Sequence, residues 1–402
     1  MTGLGTIGPC GHGREALAAA LAVGKPAVAE VDRGAGLHRE GGARTAALVG
    51  ERDLSRFIAP AAARRMSFPS KLAVAAARMA LAEAGIGATE AGGPRVGVYL
   101  STTFGSGQFT ELLLRQVLLE GAEAAQPFYF SECVANAPAA QLAIAVGARG
   151  PNVMLTQRES GPLLAVGRAA QAVREGRVDR ALAGAVEEVT PLLHALLDRF
   201  GALARPEGAR PEMPRPFDRR RDGFLAGEGA TILVLEREDA ARARGAPALA
   251  RIGWSGAAFD STADVSDWGD GHVPLAAALR AGLGEVPGGV AGIGAVVSGA
   301  SGARRGDRIE ARVLRAAWDG AALPPLLVPK AVTGEYGGGI LAPGLLALEG
   351  ARFGPTPGFV EPDPEIDVTP HRGAALRAPA RVLLTGLASG GGAAWLVLER
   401  TS

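Results

Sequence analysis

The chain has 402 residues, of which 48% are apolar, 21% charged and 5% aromatic, and its formal net charge is +1. This length and apolar content can supply one large buried core or two fused half-domains. The near-neutral charge gives no electrostatic reason to expect nucleic acid or an acidic membrane surface as a partner. Two cysteines cannot form a disulfide framework, and five scattered histidines without i, i+4 pairs or a CxxC motif argue against a metal site.

The N-terminal residues MTGLGTIGPCGHG contain no basic segment followed by a hydrophobic stretch, and no apolar run reaches about 18 residues. We therefore expect a soluble, cytoplasmic chain without a membrane partner. The same residues include GLGTIG at 3–8, which matches GxGxxG. Because no strand precedes it and Pro9 follows at once, the match predicts a first strand and its turn instead of a dinucleotide site. No cofactor is expected.

Apolar runs of strand type alternate with longer Ala/Leu-rich helical runs over most of the chain. In chain order, the predicted strands are 96–101, 152–156, 180–186, 230–236, 250–254, 293–298, 326–329, 381–386 and 394–399. The predicted helices are 14–23, 70–85, 107–119, 137–147, 161–175, 273–283, 307–318 and 338–350. This alternation indicates an α/β protein, and nearly continuous apolar strands indicate sheets that are covered on both faces.

Two features divide the chain. The stretch ARPEGARPEMPRPFDRRRDG, 204–223, is too rich in Pro, Arg and Gly to form a periodic element. A short helix and a turn then separate two parts of similar size, and each part closes on a strand that ends in LVLE, at 233–236 and at 396–399. The echo of ILVLER in WLVLER suggests a duplicated fold, with an N-terminal half at 1–240 and a C-terminal half at 241–402.

Four longer stretches carry a family resemblance: GARGPNVMLT (147–156), RPFDRRRDGFLAGEGATILVLE (215–236), PKAVTGEYGGG (329–339) and PTPGFVEPDPEID (355–367). In order and spacing they resemble signatures of the β-ketoacyl synthase branch of the thiolase-fold superfamily. The opening MTGLGTIGP and the closing LASGGGAAWLVLER resemble that family's first and last strands, so the resemblance covers essentially the whole chain. It implies a five-layer αβαβα fold made of two similar halves, and a dimer with active sites near the interface.

Members of this family condense an acyl group with a malonyl unit on acyl carrier protein, using a cysteine at a strand–turn–helix elbow and two histidines. A thiolate at a helix N-terminus attacks the thioester, and the histidines polarise the malonyl carbonyl and stabilise the enolate. The resemblance implies that Arg158 replaces the cysteine, Ser298 the first histidine and Glu335 the second, while Lys330 is retained. The loop that supplies an oxyanion-hole amide reads Ala388-Ser389-Gly390-Gly391, without its phenylalanine.

This pattern of losses sets the functional expectation. Decarboxylating relatives usually replace only the cysteine, whereas the loss of all three groups resembles the chain length factors of type II polyketide systems, which are inactive partners of active ketosynthases. We therefore expect a non-catalytic subunit that forms a heterodimer with an active ketosynthase and shapes the pocket in which polyketide or aryl polyene chains grow on acyl carrier protein. Two alternatives stay open. One is a stand-alone decarboxylase or acyltransferase that uses Glu335, Glu159 or Ser298, and the other is a homodimeric acyl-binding scaffold.

An arginine at the elbow raises a physical problem, because a helix N-terminus repels a cation and a buried unpaired charge is costly. We expect Arg158 to form an ion pair with Glu335, with Glu159 as the competing partner. An arginine side chain that extends to solvent is the alternative. Lys330, if buried, needs a partner of its own, for which Glu228 and Glu335 are the candidates.

The segment PFYFSECVANAPAAQLAI, 127–144, corresponds in the family to a part of the dimer interface that protrudes into the neighbour's acyl pocket. The residues expected to set pocket depth through their volume are Phe128, Tyr129, Phe130, Cys133 and Val134. Packing of the interface is the alternative role for the three aromatics. Cys133 is not expected to be a nucleophile, because no histidine motif accompanies it.

A run of arginines offers a second interaction surface. Arg215, Arg219, Arg220 and Arg221 form either a landing patch for the acidic surface of an acyl carrier protein or a solvated loop with ion pairs to Asp218 and Asp222.

Overall fold

Two mixed β-sheets and the helices around them make up the computed structural model, which describes residues 1–34, 37–38, 40–206, 208 and 211–401. The strands are β1 Gly3–Gly8, β2 Gly11–His12, β3 Ala29–Glu30, β4 Thr45–Ala46, β5 Val96–Ser101, β6 Asn152–Leu155, β7 Arg180–Glu187, β8 Gly229–Glu236, β9 Arg251–Phe259, β10 Ala295–Val297, β11 Leu326–Leu327, β12 Arg381–Leu387 and β13 Gly392–Glu399. The α-helices are α1 Arg14–Val23, α2 Pro60–Ala63, α3 Phe68–Glu83, α4 Gly107–Glu120, α5 Pro127–Cys133, α6 Ala137–Val146, α7 Gly161–Arg174, α8 Pro191–Arg199, α9 Glu238–Ala243, α10 His272–Leu283, α11 Arg304–Trp318, α12 Lys330–Thr333 and α13 Leu341–Leu348. Short 3-10 helices lie at Ala122–Ala124, Arg158–Ser160, Gly289–Gly292 and Gly337–Ile340.

The two large sheets repeat one topology. The first has the order β2-β1-β8-β7-β5-β6 and the second the order β11-β10-β12-β13-β9. In the first, β1, β8 and β7 pair antiparallel and β7 continues into parallel β5 and β6. In the second, β9, β13 and β12 pair antiparallel and β12 continues into parallel β10 and β11. The echoed sequences ILVLER and WLVLER lie at equivalent strands, β8 and β13, so the duplication that they suggested is confirmed.

Helices cover both faces of each sheet, which gives the expected five-layer αβαβα arrangement. Helices α3 and α6 pack on the outer face of the first sheet, where Leu72 and Ile232 are buried. Helices α7 and α13 lie between the sheets, with Leu345 and Leu396 in the shared core. Helices α10 and α11 cover the second sheet around Trp395. Because the central strands are buried on both faces, their apolar runs are continuous and do not alternate with polar residues.

The glycines of β1 are explained by close packing of a helix on a strand. A Cβ atom at Gly3 or Gly5 would lie 2.0 or 1.8 Å from the carbonyl oxygens of Ala80 and Ala76 in α3. The GLGTIG residues therefore form a first strand on which α3 lies, and the prediction of a strand is confirmed.

The structure differs from the predicted elements mainly in length and in four short helices that were not predicted, α2, α5, α8 and α12. The strand predicted at 250–254 continues to Phe259, because its pairing with β13 extends over that length. The predictions did not include α5 or α8, both of which begin with proline. In α8 the Thr190 hydroxyl accepts a hydrogen bond from the Leu193 amide at 3.1 Å, a capping signal that the sequence contained. Among the described residues of 204–223 there is no helix or strand, and no helix of the described ranges is long and apolar enough to cross a membrane.

Candidate functional site

The turn after β6 keeps the geometry of a nucleophile elbow, with arginine at its apex. β6 ends at Leu155, a 3-10 turn covers Arg158–Ser160 and α7 begins at Gly161. Arg158 has a φ of 46°, a left-handed conformation that costs a non-glycine residue about 1–2 kcal/mol. Gly161 packs tightly against β5, because a Cβ atom there would lie 2.1 Å from the Ser101 hydroxyl oxygen and would force that side chain to move. The strained turn is therefore retained although it presents a guanidinium.

Arg158 does not form the expected ion pair. Its Nη1 donates a hydrogen bond to the Ser389 hydroxyl at 2.8 Å. Glu335 pairs instead with Lys330, whose Nζ lies 2.5 Å from Glu335 Oε1. Among the ion pairs of the described residues, none joins Arg158 to Glu335 or to Glu159. The Arg158–Glu335 prediction is wrong because the fully buried Lys330 holds the carboxylate, and Glu335, of the two candidates, is the partner of Lys330.

Ser389 connects the elbow to the loop 388–391. The Ser389 amide donates to Glu159 Oε2 at 3.1 Å, while the Ser389 hydroxyl accepts from Arg158. Both charged residues of the elbow are thus tied to the loop that the family resemblance associates with the oxyanion hole. The second carboxylate oxygen of Glu335 is buried and has no hydrogen-bond partner within the described part of the chain.

Ser298 lies directly after β10 and is fully buried. Its hydroxyl donates to Glu310 Oε1 at 2.7 Å and accepts from the Ala300 amide at 3.0 Å. Glu310 also accepts hydrogen bonds from the Thr385 hydroxyl and the Gly299 amide. The Ser298 hydroxyl is therefore engaged both as donor and as acceptor in a buried polar network.

An acid-lined cavity of about 40 Å³ lies beside the elbow. Its walls include Glu159, Glu187, Glu188 and Glu335. Burial raises the pKa of Glu187 and of Glu188 to about 7. Burial, and secondly the charge of Glu335, raise the pKa of Glu159 to about 7, although Lys330 and Arg158 act in the opposite direction. Sequence reasoning missed Glu187 and Glu188, whose one signal was a pair of acids at the end of a buried strand.

These raised pKa values predict that the chain becomes more stable as pH falls from about 8 to about 6.5. The Glu159, Glu187 and Glu188 carboxyls have pKa values of about 7 in the folded chain, above the ordinary 4.5. Between pH 4.5 and 7 the native state therefore binds more protons than the unfolded state. The free energy of unfolding then decreases as pH rises through this window. Thermal melts at both pH values measure the effect, and Glu187→Gln, which cannot titrate, should weaken it. A melting temperature that rises toward pH 8 would contradict the prediction.

The three aromatics of the segment 127–144 divide into two groups. Phe128 and Tyr129 pack edge-on against Phe109, with ring centroids 5.4 and 5.5 Å apart. Phe130 is 63% exposed and Val134 is 40% exposed. Two of the aromatics therefore pack within the chain, while Phe130 projects from it.

Cys133 is partly buried at the end of α5. Burial raises the pKa of its thiol, which makes the thiolate rare at neutral pH. The structure thus gives Cys133 no feature of a nucleophile.

Phe130 and Val134 belong to a wider exposed apolar surface. Helix α4 has no buried residue, although half of it is apolar, and Leu118 is 78% exposed. The surface extends over elements that contact one another in turn: α4 packs on α5, α5 on α6 and α6 on β6. β6 is an edge strand of the first sheet, paired with β5 on one side only in this sheet order. We call it the α4 face, formed by Phe104, Leu114, Leu118, Leu119, Phe130, Val134 and Ile144. Exposed apolar surface next to an open strand edge is typical of interaction sites.

A larger cleft, of about 410 Å³, lies between α4 and the segment 188–191. Its apolar wall consists of Val31, Leu48, Leu112, Val189 and Pro191, and its polar wall includes Arg52, Arg115 and Glu188. This volume is in the range of small-molecule sites. Glu188 and Val189 line both this cleft and the acid-lined cavity, so the two adjoin along this segment.

Two of the arginines that were expected to bind a carrier protein are buried. Arg215 and Arg221 are 6% and 3% exposed. Arg215 pairs with Asp222 at 3.1 Å and Arg221 with Asp363 at 2.6 Å. Neither can contribute to a landing patch, and for them the prediction is wrong.

The other two arginines are engaged locally. Arg219 Nη1 lies 3.1 Å from Glu361 Oε1, and Arg220 Nε lies 3.2 Å from Asp218 Oδ1 and 3.6 Å from Glu361 Oε2. Local ion pairs, the alternative interpretation of this run, are the arrangement found here. A carrier-protein role for Arg219 and Arg220 stays a prediction.

A five-layer fold of two similar halves, in which Glu159 of the elbow and Glu335 of the other half line one cavity, defines a thiolase-fold protein. The sequence profile of the β-ketoacyl synthase N-terminal domain matches residues 1–241. The chain belongs to the β-ketoacyl synthase family. Among the described residues, no group of three or more His, Cys, Asp or Glu side chains is arranged to hold a metal ion.

Similar proteins include 3-oxoacyl-[acyl-carrier-protein] synthases and polyketide β-ketoacyl synthases. The chain is 30% identical over 284 residues to 3-oxoacyl-[acyl-carrier-protein] synthase 2 of Vibrio cholerae serotype O1, a match that covers 70% of this chain and 68% of the relative. It is 29% identical over 418 residues to the granaticin polyketide putative β-ketoacyl synthase 1 of Streptomyces violaceoruber, covering 100% and 97%. Among solved structures, the ishigamide ketosynthase/chain length factor superposes with a TM-score of 0.88 at 29% identity, covering 100% and 98%.

Proposed function

We propose that this chain is a non-catalytic ketosynthase homologue of the chain-length-factor type. It forms a heterodimer with an active β-ketoacyl synthase and shapes the pocket for chains carried on acyl carrier protein. The observation that carries the proposal is the elbow, where Arg158 stands on the strained turn and is hydrogen-bonded to Ser389. A guanidinium cannot form the thioester that covalent loading requires. Of the two thiols in the chain, Cys10 has a pKa raised to about 11 by burial, so it does not supply a substitute nucleophile.

The histidines of the chain support the same proposal. Their contacts are His12 with Glu51 and Arg56, His38 with Arg33, His194 with Arg33 and Thr45, His272 with Asp270, and His371 with Phe353. None of these contacts involves the elbow or the Lys330–Glu335 pair. An enolate formed beside the elbow would therefore lack the imidazole donors that the family resemblance calls for.

The α4 face supports the heterodimer. When a partner removes a side chain such as Leu118 or Phe130 from water, the complex is stabilised by roughly 25 cal/mol per Å² of apolar area buried. The ishigamide protein, whose sequence is 29% identical to this one, is a ketosynthase/chain length factor. We assign the α4 face to an active ketosynthase on these two grounds, and polyketide or aryl polyene synthesis is the corresponding role.

The test is co-expression with the intact ketosynthase that is encoded nearest to this gene, followed by native mass spectrometry and acyl loading. We expect a one-to-one complex in which only the ketosynthase gains the mass of an acyl group from acyl carrier protein. A stable homodimer that ignores the ketosynthase, or acyl mass on this chain, would overturn the proposal.

A second candidate is a stand-alone decarboxylase that uses Glu335. It is favoured by one observation, the unpartnered Glu335 oxygen in a cavity shared with Glu159. Release of carbon dioxide from malonyl carrier protein by the isolated chain, abolished by Glu335→Gln, would support this alternative.

A further inference from the structure

The helices that carry much of the α4 face have almost no core of their own. From Gly107 to Cys133 the chain forms α4, a 3-10 turn and α5, and Glu132 is the one buried residue among them. Their apolar side chains face outward or lie half-buried, so apolar packing alone does not hold these helices on the body. Other contacts must fix the ends of this segment.

The C-terminal end is fixed by Glu132, which is 1% exposed. Its Oε2 accepts hydrogen bonds from the Ser67 amide and the Ser70 hydroxyl, both at 2.8 Å. Its Oε1 accepts from the Gln141 side-chain amide at 2.6 Å. One carboxylate thus ties α5 to the first turn of α3 and to α6.

The N-terminal end is fixed by the adjacent Glu187 and Glu188. Glu187 accepts hydrogen bonds from the Thr103 amide at 2.7 Å, the Thr102 hydroxyl at 3.1 Å and the Phe104 amide at 3.3 Å. Glu188 Oε2 accepts from the amide of Gln108, in the first turn of α4, at 3.2 Å. The side chain of the N-cap residue Ser106 does not cap this helix. Glu188 instead supplies an acceptor for one of the amides that a helix start leaves unpaired.

The same two glutamates form the wall of the cavities. Glu187 and Glu188 line the acid-lined cavity, and Glu188 also lines the cleft of about 410 Å³. The position of α4 relative to that cleft is therefore set by the residues that line it. We infer that Glu187, Glu188 and Glu132 are positioning residues that hold the segment 102–133, and with it the α4 face, in the orientation that the partner meets. The inference about a partner rests on the proposed function, whereas the anchoring of the segment does not.

Hydrogen exchange on the isolated full-length chain tests the anchoring directly. Glu188→Ala should speed exchange of the amides of 103–120 at least about tenfold, because their anchor is lost, and should leave the second sheet unchanged. Glu188→Gln keeps a carbonyl acceptor for the Gln108 amide and should preserve slow exchange. The matched control is Glu310→Gln, an equally buried carboxyl of the C-terminal half, which should leave 103–120 unchanged. Acceleration spread evenly over both sheets, or none at 103–120, would overturn the inference.

A second variant covers the case in which Glu188→Ala does not fold. Gln108→Pro removes the donor of this hydrogen bond from an exposed residue in the first helical turn, where proline is tolerated. It should speed exchange in 103–120, whereas Gln108→Ala, which keeps the amide, should not. The affinity for the ketosynthase should fall about tenfold in Glu188→Ala and in Gln108→Pro. If the wild-type chain binds no ketosynthase, the proposed function fails, while the exchange result still decides whether these carboxylates anchor the segment.

Discussion

Replacing Leu118 and Phe130 together by glutamate is expected to weaken the heterodimer with an active ketosynthase strongly and to leave the chain folded. Both side chains lie on the α4 face and are 78% and 63% exposed, so the isolated fold does not depend on them. In a complex, each glutamate would place an unpaired charge in an apolar interface, at a cost of several kcal/mol. Since about 1.4 kcal/mol is a tenfold change in affinity, binding should weaken more than about 100-fold. Titration calorimetry with separately purified subunits measures this affinity.

The chain offers a matched control for this change. Val23 and Val360 are 67% and 73% exposed, similar to the two test positions, but neither lies on the α4 face. Val23→Glu with Val360→Glu adds the same charge and should leave the affinity for the ketosynthase unchanged. Thermal melts of both double variants should agree with the wild type, because exposed substitutions change stability by about 0.5 kcal/mol or less. If the Leu118/Phe130 double variant bound the ketosynthase with wild-type affinity, the ketosynthase would bind elsewhere.

The duplication of the fold could be predicted because it left an echo in the sequence. ILVLER and WLVLER fall on β8 and β13, which occupy equivalent places in two sheets of one topology. Helices α5 and α8 could not be found in the same way, because 7 and 9 residues, about two turns each, give too little periodicity to recognise. Their positions depend on contacts with distant residues, such as those of Glu132 with Ser67 and Ser70.

The candidate site was only partly accessible from the sequence, for a related reason. The elbow was predicted because a strand, a turn and a helix follow one another along the chain. The partner of Arg158 was predicted wrongly, because the choice among carboxylates depends on distances that the sequence does not contain. Lys330 and Glu335 are close in the chain and meet in one turn, and that proximity outweighed the attraction of Arg158. Glu187 and Glu188 were missed because their importance comes from burial, which two acids after a strand do not reveal.

Replacing Glu335 by alanine is expected to destabilise the chain by about 3–5 kcal/mol, the usual cost of leaving one member of a buried ion pair alone. Lys330 is fully buried, and its Nζ contacts Glu335 Oε1 at 2.5 Å. The variant leaves this ammonium without its counter-ion. Urea denaturation measures the free energy of unfolding. The matched control is Glu349→Ala, which removes a partly exposed partner of Arg14 and should cost about 1 kcal/mol or less.

Double-mutant cycles then identify the partner of Glu335. Lys330→Met with Glu335→Ala removes both charges and should recover most of the lost stability, which gives a coupling of about 2 kcal/mol or more. Arg158→Ala alone should cost only about 1 kcal/mol, the worth of its hydrogen bond to Ser389. When Arg158→Ala is combined with Glu335→Ala, the two losses of unfolding free energy should add to within about 0.5 kcal/mol. Strong coupling between Arg158 and Glu335 would restore the ion pair that the structure rejects. Additive losses would show that Arg158 acts through its hydrogen bond to Ser389, which joins the elbow to the loop 388–391.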